Sequence, residues 1–370
     1  MEISFLIWNG SPEIFSTEIL SFPVAFRWYG ILFAGGFLVS QQILYYIYKK
    51  EGKPVRDVDT LTVYMVFATI IGARVGHVLF YEPHLILENP VGILLPISLH
   101  PFQFTGFLGL ASHGGALGIL FALWLYSRKK KPGQSYLQVM DRIAIAVAIT
   151  GAFIRTGNFF NSEIIGKPSA AFASVVFVNP LTETLLTAKE DSPVAKAEYV
   201  RTAAPSKGAF VPLQLNLTFN PNVSEAQAGA YAVGELKFFL SQMGVYIDNP
   251  FNKPMDYVIE RNGNALTAKV NITGIARHPA QLYEAISCFF LFLFLFFLWK
   301  KKKEHTPEGL IFGAFMMALW TLRFIYEFIK ENQVPFEDQL ALNMGQILSV
   351  PLFLVGVFFF WRALKRSSGE

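Results

Sequence analysis

Seven separate apolar segments, each long enough to cross a lipid bilayer, restrict the folds open to this sequence more than any other feature. They cover residues 24–47, 60–81, 106–127, 138–158, 279–299, 308–329 and 345–363. A spanning helix needs about 20 mostly apolar residues, because the hydrocarbon core of a bilayer is about 30 Å thick. The sequence therefore predicts an all-α polytopic membrane protein with seven transmembrane helices.

The composition agrees with a membrane protein and argues against a soluble one. Hydrophobic residues make up 53% of the chain and charged residues only 16%, against roughly 25% charged in an ordinary soluble domain. Lys and Arg occur in short clusters beside apolar segments, where anionic lipid is their partner rather than nucleic acid. The single cysteine, Cys288, lies in an apolar run and excludes a disulfide framework or a cysteine-built metal site.

Basic clusters follow the first, third, fifth and seventh segments, and they set the orientation. The clusters are Lys49–Arg56, Arg128–Lys131, Lys300–Lys303 and Arg362–Arg366. Because short loops rich in Lys and Arg stay in the cytoplasm, the N-terminus is predicted outside and the C-terminus inside. Residues 84–105 contain no Lys or Arg, so we interpret them as a re-entrant or interfacial segment rather than an eighth span.

Residues 167–276 differ in kind from the apolar segments. They are richer in Asn, Thr, Pro and Ser, and apolar and polar residues alternate in 210–219 and 265–272, as in strands with one buried face. The sequence therefore predicts an outward-facing, β-containing head inserted between two membrane regions, 1–166 and 277–370.

Polar and ionisable side chains gather near one end of the predicted helices. On the predicted topology the outer ends carry Tyr29, Arg74, His77, His113, Arg155, Asn158, Asn161, Glu163, Arg277, His278, Gln281, Glu284, Arg323, Glu327 and Lys330. An ionisable side chain inside a span is costly enough to be a functional hypothesis by default. Simple helix anchors would scatter over both membrane surfaces, so we predict one shared site near the outer surface.

Helical spacing indicates which of these side chains share a face. Arg323, Glu327 and Lys330 recur at helical spacing, which places all three on one stripe. An intrahelical ion pair between Arg323 and Glu327 is the simpler alternative. Arg74 has a similar alternative as a snorkelling anchor, and His77 as a packed side chain, so spacing alone leaves these roles open.

His113 stands in a run of small residues. It lies in the sequence Ser112-His113-Gly114-Gly115, followed by Gly118, where another backbone or a ligand can approach closely. Histidine exchanges a proton near neutral pH, and arginine binds phosphate with two hydrogen bonds. Together they suggest transfer of a group from an anionic phospholipid. The sequence contains no HExxH, P-loop or Gly-x-Ser-x-Gly motif.

The segment Arg155–Glu163, which reads RTGNFFNSE, closely resembles the signature of bacterial prolipoprotein diacylglyceryl transferases. Six further segments resemble blocks of that family in the same order: Trp28–Gly30, Gly72–Gly76, Ser112–Gly115, Arg277–Glu284, Arg323–Phe328 and Met344–Ser349. The resemblance covers nearly all of the membrane part of the chain.

The resemblance implies an enzyme that needs no metal or soluble cofactor. Such an enzyme moves the diacylglyceryl group of phosphatidylglycerol onto the thiol of the lipobox cysteine in a prolipoprotein signal peptide. The reaction forms a thioether, releases glycerol 1-phosphate and is the first step of bacterial lipoprotein maturation. The resemblance also implies a multi-pass protein of the bacterial inner (cytoplasmic) membrane with its active site toward the periplasm.

The same resemblance assigns expected roles to individual side chains. His113 and Arg323 are the expected catalytic residues. The expected substrate-binding residues are Tyr29, Arg74, Arg155, Asn158, Asn161, Glu163, Gly166, His278, Gln281, Glu327 and Lys330. Two alternatives stay open: His113 removes the thiol proton, which we slightly favour, or Arg323 lowers the thiol pKa while His113 only binds.

Three features depart from the family pattern. Lys330 stands where the family often has arginine, which keeps the charge but loses bidentate geometry. Ile154 stands where glycine is common, which puts close helix packing there in doubt. The stretch between Gly166 and Arg277 is longer than in compact members, so it affects how a prolipoprotein docks.

Two other classes of function compete with the transferase. A transporter or lipid flippase predicts polar residues through the full depth of the membrane, whereas here they stay at the outer ends. A catalytically inactive lipid-binding receptor needs the arginines only to hold a head group. The presence of His113 beside the arginine set favours the transferase over both.

Overall fold

The structure is a computed structural model. It describes residues 5–19, 22–90, 93, 97–99, 102–104, 109, 111–187, 192–262, 265–331 and 341–367. The chain divides into two compact units. The first unit is Met1–Ala34, Ala152–Ser287 and Leu322–Leu348, and the second unit is Gly35–Gly151, Cys288–Thr321 and Ser349–Glu370.

Each of the seven predicted segments contains an apolar helix. Five helices are long and apolar enough to cross a membrane: α1 (Trp28–Lys50), α2 (Arg56–Tyr81), α5 (Tyr136–Phe160), α9 (Ala280–Lys302) and α11 (Met344–Ser367). The other two, α4 (Ser112–Ser127) and α10 (Leu310–Tyr326), have 16 and 17 residues. The chain is therefore a multi-pass membrane protein, while the count of seven spans and their orientation stay predictions.

Helices α2 and α4 of the second unit pack with their backbones almost in contact. A Cβ atom added to Gly114 would lie 2.2 Å from the carbonyl oxygen of Gly72, and one added to Gly118 would lie 2.5 Å from that of Ala68. Small residues permit such an approach between membrane helices. The glycines around His113 therefore accommodate a neighbouring helix backbone, one of the two explanations that the sequence left open.

A fully buried charged cluster joins several helix ends of the second unit. The Glu51 carboxylate accepts hydrogen bonds from Arg142 Nε (2.8 Å) and Trp299 Nε1 (2.7 Å). Asp141 accepts the backbone N–H groups of Gly309 (2.8 Å) and Phe312 (2.7 Å), which satisfies donors at the start of α10. This Glu51–Arg142 cluster fixes the loops between helices, since every carboxylate in it has partners.

The first unit contains a mixed sheet with six described strands. They are β1 (Leu6–Trp8), β6 (Val175–Phe177), β7 (Val194–Arg201), β8 (Phe210–Phe219), β9 (Tyr257–Asn262) and β10 (Ala265–Arg277), in the order β1-β6-β10-β8-β7 with β9 beside β10. Only β1 and β6 pair in parallel. Buried and partly exposed residues alternate along β8. The two predicted alternating stretches are therefore strands, and they pair with each other.

Short helices cover this sheet. They are α6 (Asn179–Thr187), α7 (Glu225–Tyr231), a π-helical turn (Ala232–Leu236) and α8 (Lys237–Gln242). Leu213, Leu217, Leu236 and Leu240 lie in the core that the strands and helices share. Burial of these leucines stabilises the region, because each fully buried leucine contributes about 1.5–3 kcal/mol.

Two smaller hairpins precede and follow helices. Strands β2 (Glu13–Ile19) and β3 (Phe22–Arg27) pair before α1, so the helix begins at Trp28 rather than at the predicted residue 24. Among the described residues of 84–105, the chain forms a short helix, α3 (Leu85–Glu88), and the hairpin β4 (Ile97–Leu99) with β5 (Phe102–Phe104). The described part of this segment therefore contains no long helix.

Residues 166–168 connect the sheet to the end of α10 and the start of α9 in the first unit. Gly166 forms an isolated bridge with Lys330, and Pro168 forms one with Arg277. Lys167 N donates to the carbonyl oxygen of Ile329 at 2.7 Å. These contacts hold the residues that follow α10 beside the residues that lead into α9.

Candidate active site

Eight side chains of the first unit form one continuous polar network. Some come from the end of α5 and the residues just after it. The others come from the start of α9, and from the end of α10 and the residues just after that helix. The members are Arg155, Asn158, Asn161, Glu163, Glu284, Arg323, Glu327 and Lys330. Three are cationic and three are carboxylates, so the network is neutral when all six are ionised. The structure thus brings together most of the predicted site residues.

Alternating charges run along one arm of the network. Arg155 Nε lies 2.6 Å from Glu284 Oε2, and Glu284 Oε1 also contacts the Lys330 ammonium. Lys330 Nζ lies 3.8 Å from Glu327 Oε1. Arg323 Nη2 lies 3.6 Å from that same oxygen. The pair expected within the helix therefore exists, but it is one part of a larger set.

The other arm begins in the last turn of α5. Arg155 Nη1 donates to Asn158 Oδ1 at 3.3 Å. Asn158 Nδ2 and Asn161 Nδ2 then donate to Glu163 Oε1 at 2.9 and 3.1 Å. Ser162 has a positive φ of 53°, a left-handed conformation that ends a helix and reverses the chain. This turn returns Glu163 to the two asparagines.

Gln281 and Gly166 hold this turn against α9 and the sheet. Gln281 Nε2 donates to the carbonyl oxygen of Glu163 at 2.6 Å. The backbone N–H of Gly166 donates to His278 O at 3.0 Å, and its carbonyl accepts from Arg277 Nη1 at 3.1 Å. A Cβ atom at Gly166 would lie 2.6 Å from His278 Cβ. Close packing therefore explains why position 166 is glycine. Contact of Gly166 or Gln281 with a substrate stays a prediction.

Arg323 and Arg155 are each more exposed than the carboxylate that they pair with. The Arg323 side chain is 34% exposed, whereas that of its partner Glu327 is 12% exposed. Arg155 is more exposed than Glu284, and Lys330 is buried. Arginine carries five N–H donors in a planar fork, so the two arginines are the cations that an incoming anion reaches.

His278 and Tyr29 lie beside the network in the first unit. His278 Nδ1 lies 3.4 Å from the Tyr283 hydroxyl. Burial lowers the pKa of His278, so its ring is neutral at pH 7. Tyr29 packs on Gly157, where a Cβ atom would lie 3.1 Å from Tyr29 Cα. Gly157, inside the signature segment, therefore lets α1 approach α5.

Arg74 in the second unit holds the segment that follows α2. Its Nη1 lies 3.7 Å from Glu82 Oε2 and donates to Gly109 O at 3.4 Å. Its Nε donates to Ile93 O at 3.3 Å. His77 Nε2 also lies 3.4 Å from the Glu82 carboxylate. Both side chains therefore have structural partners, and a head-group contact by Arg74 stays a prediction.

His113 is an exposed residue in the first turn of α4. The backbone beside it is fixed, because Gly114 is buried against α2. An exposed imidazole on a fixed backbone can exchange a proton with a molecule that reaches it. The structure therefore leaves the predicted catalytic role of His113 open to test.

Three contacts in or beside the network involve residues to which the sequence assigned no role. Glu284 was noted as polar but received no role, although it joins Arg155 to Lys330. Arg277 was noted likewise, and its Nη1 lies 2.7 Å from Glu331 Oε2. Asn343 Nδ2 donates to Glu327 Oε2 at 3.0 Å. The sequence signal that could have identified Asn343 is its position directly before an apolar helix.

A metal centre finds no support in the described part of the chain. Among those residues, no group of three or more His, Cys, Asp or Glu side chains could hold a metal ion. Each network carboxylate instead lies against arginine, lysine or asparagine. The site is therefore built for charge pairing with its own cations.

The fold and this network define a multi-pass membrane protein with a charged site at helix ends, the class in which enzymes acting on lipids occur. The family model for prolipoprotein diacylglyceryl transferase matches residues 17–362. The chain belongs to that family, and it is a transferase. The resemblance seen in the sequence is therefore confirmed.

Relatives match the chain over almost its whole length. A protein of Bacteroides fragilis is 33% identical over 364 residues, covering 98% of this chain and 96% of the relative. One of Tolumonas auensis is 31% identical, covering 98% and 99%, and one of Chloroherpeton thalassium is 29% identical, covering 99% and 97%. All three are named phosphatidylglycerol–prolipoprotein diacylglyceryl transferase. These names favour the transferase over the transporter and receptor alternatives.

Proposed function

We propose that this chain transfers the diacylglyceryl group of phosphatidylglycerol to the thiol of the lipobox cysteine in a prolipoprotein. A carbon–sulfur bond forms, the carbon–oxygen bond to phosphate breaks, and glycerol 1-phosphate leaves. The thiol proton passes to a base or to the departing phosphate. The polar network of the first unit carries this proposal, because it presents Arg323 and Arg155 as accessible cations.

The accessible arginines fit the charge that develops in such a reaction. A phosphate that leaves gains negative charge, and fixed donors at that position lower the barrier. Arg323 would hold the leaving phosphate, and Arg155 the head group beside Asn158 and Glu163. Glu284, Glu327 and the residues around them hold both guanidinium groups in place, so little reorganisation is needed when the substrate arrives. Tyr29, Arg74, Asn161, Gly166, His278, Gln281 and Lys330 complete the proposed substrate contacts.

The thiol must lose its proton before it attacks. A free cysteine thiol has a pKa of about 8.5 and is mostly protonated at neutral pH. His113, which is exposed, is the proposed base. The alternative is that the Arg323 guanidinium group lowers the thiol pKa while His113 only binds. On the predicted topology both lie toward the periplasm in the bacterial inner membrane, where signal peptides emerge.

Release of glycerol phosphate tests this function directly. Purified protein in phosphatidylglycerol micelles would be mixed with a lipobox peptide and with the same peptide carrying serine for cysteine. We expect release only with the cysteine peptide, and a loss of about 10²–10³-fold in Arg323→Ala. We expect a loss of about 10²–10⁴-fold in His113→Ala. Release that ignores the peptide cysteine would overturn the proposal.

Matched control variants show whether a loss of activity comes from the proposed site or from any loss of charge or of folded protein. Arg201→Ala removes another exposed arginine of the first unit, and His305→Ala removes a histidine whose side chain is 85% exposed. Both variants should keep native activity. A selenocysteine peptide, which ionises at lower pH than cysteine, should rescue His113→Ala but not Arg323→Ala if histidine is the base. Rescue of Arg323→Ala but not of His113→Ala would instead favour Arg323 as the group that lowers the thiol pKa.

A further inference from the structure

A pocket of about 630 Å³ lies among the helix ends of the second unit that carry the lysine clusters. Its walls come from the loop between α1 and α2, the loop before α5, and the turn between α9 and α10. The charged side chains that line it are Glu51, Lys53, Asp57, Lys131, Glu304 and Glu308. This volume lies in the range of small-molecule sites, and the proposed transfer reaction uses none of these residues.

The floor of the pocket is already neutralised. Lys53 Nζ lies 2.7 Å from Glu51 Oε2, and Glu51 is also paired with Arg142. Asp57 contacts the Lys131 ammonium and accepts a hydrogen bond from Gln134 Nε2 at 2.6 Å. Lys131 is only partly covered by this contact. An ammonium group carries three N–H donors, so the exposed part of Lys131 can also donate to a ligand.

The rim of the pocket carries surplus negative charge. Glu304 and Glu308 are exposed, and Glu304 Oε1 lies 3.6 Å from His305 Nε2. Glu308 forms no ion pair within the described residues. No group of three acidic or histidine side chains in that part of the chain could hold a metal ion. The surplus therefore suits an organic ammonium group.

We propose that this pocket binds the phosphoethanolamine head group of an aminophospholipid. The phosphate would lie at Lys131, which is the more exposed of the two lysines, and the ammonium group would lie at Glu304 and Glu308. A lipid source fits the position, because the pocket lies where apolar helices end and head groups begin. Phosphatidylglycerol has no ammonium group, so this pocket is distinct from the proposed donor site.

Lipid binding to the purified full-length protein tests the proposal. Short-chain phosphatidylethanolamine, phosphatidylcholine and phosphatidylglycerol would be titrated separately, with retention measured by native mass spectrometry. We expect phosphatidylethanolamine to bind at least about fivefold more tightly than the others, because only its ammonium group donates hydrogen bonds to carboxylates. Equal binding of all three lipids would overturn the proposal.

A double variant tests the rim directly. Glu304→Gln with Glu308→Gln keeps size and removes both charges, and it should abolish the preference while transferase activity stays native. Glu198→Gln, an exposed glutamate of β7 paired with Lys196, is the matched control and should keep the preference. A double variant that still prefers phosphatidylethanolamine would contradict the assignment.

Soluble phosphoethanolamine distinguishes the two sources of the same chemistry. It should compete with the lipid at concentrations on the order of millimolar, since it keeps both charged groups but loses acyl contacts. If soluble phosphoethanolamine did not compete, the protein would recognise the acyl chains of the lipid, and the proposed head-group site would be wrong. Binding as tight as that of the lipid would assign the pocket to a soluble amine phosphate instead.

Discussion

The Glu51–Arg142 cluster and the polar network use the same residue types in opposite ways. In the cluster, both the Arg142 and the Glu51 side chain are fully buried, and backbone groups or tryptophan satisfy the remaining oxygens. In the network, Arg323 and Arg155 keep part of their surface accessible and are more exposed than their carboxylate partners, Glu327 and Glu284. Fully buried charges hold loops together, whereas partly exposed charges are available to a substrate.

The largest expected effect comes from removing the positive charge of the buried Glu51–Arg142 cluster. Arg142→Met leaves the buried Glu51 carboxylate with fewer cations, and breaking a buried pair costs about 3–5 kcal/mol. We expect a large drop in the melting temperature of the protein in detergent. The activity per folded molecule should stay unchanged. The exposed Arg128 is the matched control, because Arg128→Met should alter the melting temperature little. A native melting temperature for Arg142→Met would contradict the structural role of the cluster.

The next effect tests the residue that sequence reasoning left without a role. Glu284→Gln keeps the side-chain size but removes the charge between Arg155 and Lys330. Leaving buried partners unsatisfied costs about 1–3 kcal/mol, which is about a ten- to hundredfold change. We expect that loss in kcat/KM with little change in melting temperature. Glu13→Gln, at the exposed ion pair with Arg27, should keep native kinetics, and equal losses in both would refute a local role.

The sequence identified most residues of the polar network but not the contacts between them. Hydropathy and loop charge placed Arg155, Arg323 and Lys330 near one surface, and helical spacing placed the last two on one stripe. The contact of Glu284 with both Arg155 and Lys330 joins α9, α5 and the residues that follow α10. Such pairing depends on how the helices pack, which periodicity does not encode.

The same limit applies to the fold. Alternation predicted β8 and most of β10, because one face of each strand packs on a core. The parallel pairing of β1 with β6 joins residues far apart in sequence, and no local pattern marks it. The start of α1 was predicted four residues early, since β3 is apolar enough to extend the hydropathy signal although it pairs with β2.

A smaller effect sharpens the part that geometry plays in the network. Lys330→Arg keeps the charge between Glu284 and Glu327, so we expect kcat/KM within about threefold of native. Lys330→Met removes the charge and leaves both carboxylates underpaired, with an expected loss of about tenfold or more. Steady-state kinetics of both variants would decide the point. Equal activity of the two variants would show that the ammonium charge does not matter.

The smallest effect concerns pH. Because burial lowers the pKa of His278, the unfolded chain binds a proton there at a higher pH than the folded chain does. The folding free energy should therefore weaken as pH falls below about 6.5, by less than about 1 kcal/mol, since the ring is partly exposed and screened. Melting curves of the native chain and His278→Gln between pH 7 and 5 would measure it. An identical pH dependence in both would contradict this assignment.

Strand β10 runs almost directly into helix α9. The strand ends at Arg277 and the helix begins at Ala280, so only two residues separate them, and the second is proline. Proline fixes its own φ and restricts the residue before it, which makes this junction a stiff coupling. A load applied to the sheet therefore reaches the first turns of the helix that carries Gln281 and Glu284. We therefore expect a displacement of β10 to move Gln281 and Glu284 with it.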